Sequence, residues 1–244
     1  MTAAAPPPVT QTYIGGELEL FAEAVHWKSY VGSFLRPFIA GRVLDVGAGI
    51  GSNIPFLVGP RVAEWTFLEP DPALARRIEA RIAAGVLPPQ QCRLLVGTSA
   101  SLDEEAQFDT ILYIDVLEHI ADDAAELARA RRHLAVGGHL VVLAPAHEFL
   151  FSPFDAAIGH YRRYGRARLT RIGPPQALLV RRAMLDCVGF FASLANRGLL
   201  SQRMPTRRQI AVWDTFLVPL SRRLDPLFGR RFGKTIVAVW RAAA

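Results

Sequence analysis

Short apolar runs alternate with longer segments of helical period along the first 145 residues. Between Glu17 and Ala40, Leu18, Phe21, Ala22, Val25, Tyr30, Phe34 and Leu35 recur at helical spacing. Five strand-like runs follow: Arg42–Val46, Glu64–Glu69, Cys92–Val96, Phe108–Ile114 and His139–Pro145. The run Phe108–Ile114 is almost wholly apolar, the pattern of a strand covered on both faces. A helix is predicted over Pro72–Ala84, with Pro72 near its first turn and Gly85 beyond its end. A second is predicted over Ala121–Leu134, closed by Gly137 and Gly138. Strands alternating with helices predict βαβ units and a parallel sheet. After Pro145 the texture changes. His147–Arg171 is aromatic, basic and irregular, and Gln176–Met184 reads as a sixth strand. Asp186–Leu200 and Gln209–Leu224 read as amphipathic helices, and Thr235–Trp240 as a last strand. Residues 1–12 read as a loose arm, leaving 13–244 as one domain with its core at 42–145.

Composition narrows the class. Of 244 residues, 51% are hydrophobic, enough for a sizeable core and against global disorder. Two cysteines, Cys92 and Cys187, exclude a disulfide scaffold and a cysteine zinc cluster and suit a reducing cytoplasm. No signal peptide is read at Met1–Gln11, and the apolar runs of the back half are interrupted by Arg or Asp. The formal net charge of +6 suggests an anionic partner. That total hides a division: residues 1–150 carry −7 and residues 151–244 carry +13. An acidic front and a basic back imply two jobs.

The front holds a recognisable arrangement. A strand leads into Gly47-x-Gly49-x-Gly51, and the next strand ends in Glu69, 18 residues after the last glycine. Glycines bring backbone close to a ligand, and a strand-end carboxylate can accept ribose hydroxyls. The third glycine comes one position early for a dinucleotide site, which disfavours a dehydrogenase.

Here the chain resembles the class I S-adenosylmethionine-dependent methyltransferases. Val43–Asn53 looks like their first motif, Phe67–Asp71 like their ribose-binding motif, and Phe108–Ile120 like their fourth motif in its VLEHI form; Ala135–Val142 matches the turn into the fifth strand. The resemblance implies a Rossmann-like seven-stranded α/β sheet, mostly parallel with an antiparallel last strand. Helices would cover both faces, with an N-terminal helix and a C-terminal helical elaboration. It implies S-adenosylmethionine as cofactor and S-adenosylhomocysteine as product. Asp45 would order the loop of Gly47, Ala48, Gly49 and Gly51; Glu69 would hold the ribose and Pro70 would line the adenine pocket. Where many relatives place an acidic residue after the third strand for the adenine amino group, this chain departs with Gly97–Ser101, so Thr98, Ser99 or a backbone group would accept that bond. Asp115 and Val116 would flank the methionine, and Trp27 would face the sulfonium. No metal is implied.

The acceptor site would come from the N-terminal helix and the segment after the fifth strand. Phe154–Tyr164 resembles a D-x-x-x-G-H-x-R-R-Y signature of a bacterial subgroup, and Glu19–Tyr30 matches its start. Arg162 and Arg163 read as a clamp for an anionic small-molecule or lipid acceptor, or for the cofactor's own carboxylate, with Tyr13, Tyr30, Tyr161 and Tyr164 around it. The candidate bases are His119, His147 and His160, with Asp155 as orienter. Paired arginines among apolar residues in the back half suit an anionic membrane surface and equally suit homodimer packing; a monomer is also compatible. Two alternatives stand. One is an RNA methyltransferase, disfavoured because Asp115-Val116-Leu117 stands where an N-P-P-Y motif would lie. The other binds S-adenosylmethionine for a non-methylating reaction or as a partner subunit.

Overall fold

The computed structural model describes residues 12–85, 91–196 and 204–243. The arm before Thr12 and the end of the Asp186–Leu200 helix lie outside the described residues. Two helices, α1 (Leu18–Ala22) and α2 (Val25–Leu35), precede β1 (Gly41–Val46). Then come α3 (Ile54–Leu57), β2 (Val62–Glu69), α4 (Pro72–Ala83), β3 (Cys92–Val96), β4 (Phe108–Ile114), α5 (Asp123–Arg132) and β5 (Leu134–Pro145). The back half contributes α6 (Pro153–Ala157), α7 (Arg166–Arg171), β6 (Ala177–Leu185), α8 (Cys187–Asn196), α9 (Arg207–Val212), α10 (Val218–Leu227) and β7 (Thr235–Ala242).

The seven strands lie in the order β3-β2-β1-β4-β5-β7-β6. The first five pair in parallel, and β7 runs antiparallel to both neighbours, as the resemblance implies. Alternate side chains of each strand enter two apolar layers. Leu44, Val46, Ile111 and Tyr113 pack on one face, while Val43, Leu112 and Trp65 pack on the other. The sheet order reverses between β1 and β4. In open parallel sheets the carboxyl ends of the strands at that point form the binding crevice.

Two boundaries differ from the sequence pattern. The predicted Ala121–Leu134 helix starts at Asp123, because the Asp122 carboxylate accepts from the Ala125 amide at 3.0 Å and fixes the N-cap. Gly137 and Gly138 fall inside β5 rather than closing the helix. A Cβ at Gly138 would lie 2.8 Å from the Asp109 carbonyl oxygen, so glycine lets β5 enter the sheet beside β4.

The C-terminal helices are fastened by buried carboxylates. Asp225 accepts from the Tyr30 hydroxyl at 2.6 Å and from the amides of Asp186 and Cys187. Asp186 accepts from Ser221 Oγ and from Trp213 Nε1. Trp213–Leu217 forms a π-helical turn between α9 and α10, which strict helical periodicity does not announce. Among the described residues, no helix is long and apolar enough to cross a membrane.

Candidate active site

The carboxyl ends of β1, β2 and β4 build the site. After β1 the chain turns at Gly47, Gly49 and Gly51, all with positive φ. A Cβ on Gly47 would lie 2.8 Å from both methyl groups of Val116, so the loop after β4 presses directly on the glycine loop. The Gly47 amide donates to the Leu68 carbonyl at 2.7 Å, which draws the loop against the end of β2.

Glu69 sits at that end, 4% exposed. One carboxylate oxygen accepts from the Gly49 amide at 2.7 Å and the other from the Asp71 amide at 2.9 Å. Burial raises its pKa against the opposing pull of these two amides. Asp71 caps α4, accepting from Ala73 at 2.7 Å, and its second oxygen accepts from the Tyr13 amide at 2.7 Å. This last bond docks the N-terminal segment over the site. The Tyr13 ring meets His119 edge-on at 5.8 Å, its hydroxyl bonds Glu17, and Leu18 covers Gly49.

A cavity opens beneath, lined by Trp27, Lys28, Val31, Asn53, Leu57, Ile114, Asp115 and Leu143. Lys28 is buried, donates to the Ala22 carbonyl at 2.9 Å, and is lowered by desolvation to about 8. Trp27 also packs on Trp213 at a tilt, with ring centroids 5.6 Å apart, and edge-on against Tyr30 at 6.1 Å, so it serves the packing of α2 as well as the cavity. Asp115 holds a left-handed backbone at φ 54°, which turns the chain sharply into the 117–119 turn.

Asp45 lies buried below the loop, and burial pushes its carboxyl up to about 7. In the unfolded chain this group titrates near 4. Between those values the folded state holds a proton that the unfolded chain has lost, so stability falls as pH rises through that window. Thermal melting of Asp45→Asn should lose that decline. An unchanged slope would contradict the assignment.

The acceptor-side segment attaches to β5 through a short parallel bridge between Ala146 and Tyr164. Here the geometry corrects the clamp. Arg163 is buried, and its Nε and one terminal nitrogen both donate to Asp155 at 2.9 Å. Arg162 donates to the carbonyls of Ile120 and Ala121 and pairs with Asp123 at 3.1 Å. Both forks are therefore filled from within the protein. Tyr164 is fully buried, its hydroxyl bonded to Asp123 at 3.0 Å, and Tyr30 is buried on Asp225. Neither forms an acceptor wall. Tyr161 is exposed beneath the Arg162 guanidinium. Ser99 is buried and donates to Glu126 at 2.8 Å, which engages its hydroxyl away from an adenine edge; Thr98 is partly exposed beside it.

Among the histidines, His119 and His160 come together, with ring centroids 4.5 Å apart. Asp155 bonds His160 Nδ1 at 2.9 Å. His147 belongs to a different cluster, bonded to the Gly233 carbonyl and packed on Phe149 and Phe190. Asp71, Glu17 and Glu118 contact Glu69, Tyr13 and His160, and sequence reasoning did not single them out. Asp71 stands directly before Pro72 at a helix start, an N-cap signal that could have found it.

Residues 44–140 match the model of the methyltransferase domain. Over that stretch, which runs from β1 into β5, the chain is similar to methyltransferase domains. No curated protein matches the sequence. Solved methyltransferase structures share the fold. The N-methyltransferase NodS from Bradyrhizobium japonicum, in complex with S-adenosylhomocysteine, is 14% identical, with a TM-score of 0.55 over 90% of this chain and 86% of that one. A putative sarcosine dimethylglycine methyltransferase from Galdieria sulphuraria is 16% identical, with a TM-score of 0.58 over 89% and 84%. A complex of the Haloferax volcanii Trm112 methyltransferase activator with a putative methyltransferase gives 16%, 0.60, and coverage of 90% and 91%.

Proposed function

We propose that this methyltransferase moves a methyl group to a small-molecule acceptor entering between the Tyr13–Tyr30 and His147–Tyr164 segments. The observation that carries the reading is the buried Glu69 carboxylate, joined to the glycine loop and the Asp71 turn at the end of β2. The donor set suits S-adenosylmethionine. Glu69 offers acceptor oxygens for ribose hydroxyls, and the three left-handed glycines turn the backbone of the loop tightly beside it. Lys28 brings a cation for the carboxylate group, and Asp115 and Glu17 bring negative charge for the ammonium and sulfonium. When bound, the cofactor supplies a methyl group already activated by positive sulfur.

The protein's part is to align and to exclude water. Tyr13, held by Asp71 and resting on His119, closes the cleft from the N-terminal side. His119 and His160 form its polar wall on the acceptor side.

A lipid-type acceptor is favoured by one further observation. Phe191, Leu194, Phe216 and Leu220 are exposed on the C-terminal helices, in a region carrying Arg207, Arg208, Arg222 and Arg223. The anionic character of the acceptor rests on those arginines, since Arg162 and Arg163 are occupied. The test is product analysis with methyl-labelled S-adenosylmethionine and acceptor mixtures of water-soluble metabolites or extracted lipids. Label transfer with release of S-adenosylhomocysteine supports the reading, and the mixture that takes the label separates the two acceptor types. Release of methylthioadenosine without transfer overturns methyl transfer in favour of a cyclising or eliminating reaction.

A further inference from the structure

We propose that Glu118, His119 and His160 hold a divalent metal cation at the acceptor end of the cleft. One ligand atom from each residue lies within 4.8 Å of the others. Glu118 Oε1 stands 3.8 Å from His160 Nε2. Ligands around a four-coordinate cation at bond lengths of about 2.1 Å are separated by roughly 3.4 Å, so small side-chain shifts close the site.

Two independent observations point to a cation rather than to a chance grouping. Glu118 is completely buried, yet neither of its carboxylate oxygens has a hydrogen-bond partner among the described residues. A buried carboxylate without hydrogen bonds is costly, and a bound cation satisfies it directly. Behind His160, Asp155 bonds Nδ1 and leaves Nε2 turned toward Glu118. This carboxylate–histidine arrangement fixes the ring and its tautomer for metal binding. Asp155 is itself held by Arg163 and Ser152, so the support is rigid.

Two imidazoles and one carboxylate suit first-row cations such as Mn²⁺, Co²⁺ or Zn²⁺ better than Ca²⁺, which prefers an all-oxygen shell. Three protein ligands leave coordination positions for water or an acceptor oxygen. That last consequence, a hydroxylated acceptor, rests on the methyl-transfer reading; the metal site does not.

The experiment uses the full chain stripped of metal and titrated with Co²⁺ alone, followed by visible ligand-field absorption. One equivalent should bind, with the spectrum of a nitrogen–oxygen site. Glu118→Gln and His160→Gln should each weaken binding at least about tenfold. His26→Gln, at an exposed histidine on Asp214, should leave it unchanged. S-adenosylmethionine binding on the same samples reports the fold. Should the variants lose it, electron paramagnetic resonance of Cu²⁺ in the unmodified protein decides: hyperfine coupling to two imidazole nitrogens supports the site, and coupling to none overturns it. Absence of saturable Co²⁺ binding, or equal binding in folded variants, also overturns it. Intact cofactor binding in that case leaves the methyltransferase reading standing.

Discussion

Replacing Glu69 with alanine is expected to weaken S-adenosylmethionine binding at least about 100-fold, measured by calorimetry. In the proposed site the carboxylate accepts both ribose hydroxyls, and hydrogen bonds to a charged group contribute about 1.5–3 kcal/mol each. Two such bonds exceed the roughly 2.7 kcal/mol that a hundredfold change represents. A second effect acts in the same direction. Glu69 also accepts from the Gly49 and Asp71 amides, so its loss leaves the glycine loop and the α4 entry without their shared anchor. Glu69→Gln keeps an acceptor oxygen but removes the charge and should cost less, about tenfold. Thermal melting run beside the titration separates loss of the site from loss of the fold. Unchanged affinity in a folded Glu69→Ala protein would remove the ribose assignment.

The largest effect on stability should come from Asp155→Ala. Asp155 is fully buried, accepts from two of the three guanidinium nitrogens of Arg163 and from the Ser152 hydroxyl, and bonds His160 Nδ1 at 2.9 Å. Burial alone would raise its pKa, but the bonds from His160 and Arg163 hold it well below the usual carboxylate range. Removing one partner of a buried pair strands the other, at a cost of about 3–5 kcal/mol. For a chain of this size that lowers the melting temperature by about 10 °C. Arg163→Ala should fall in the same direction, because it strands Asp155. The acceptor-clamp reading of Arg163 predicts the opposite pattern: a normal melting temperature with a raised acceptor KM. Calorimetric melting and steady-state kinetics on the two variants separate the two accounts.

The strands and the glycine loop were legible in the sequence because each is written locally. Phe108–Ile114 is apolar at nearly every position because helices cover both faces of the sheet, and its bounds match β4. The place of Glu69 was legible because the apolar run of β2 ends on it. The arginines were misread because partners are not written locally. Arg162 and Arg163 look like free donors in the sequence, and the turn at α6 brings Asp155 back onto the second of them. The π-helical turn at Trp213–Leu217 escaped for a similar reason: its tie to Asp186 joins segments that periodicity treats separately. Glu118 reads as one letter of a motif, and its isolation from any donor emerges only once the 155–164 segment folds over it. The −7 front and +13 back retain their meaning in part. In the basic half the arginines turn inward as well as out: Arg163 is buried on Asp155, and Arg207 and Arg222 are exposed.

A crystal structure of the protein with S-adenosylhomocysteine tests the central claim most directly. The account predicts the nucleoside across the carboxyl ends of β1 and β2. Both ribose hydroxyls should lie on Glu69, the amino-acid end in the cavity between Lys28 and Asp115, and Tyr13 closed over the cleft. A nucleoside bound elsewhere, or ribose hydroxyls that make no contact with Glu69, would contradict it.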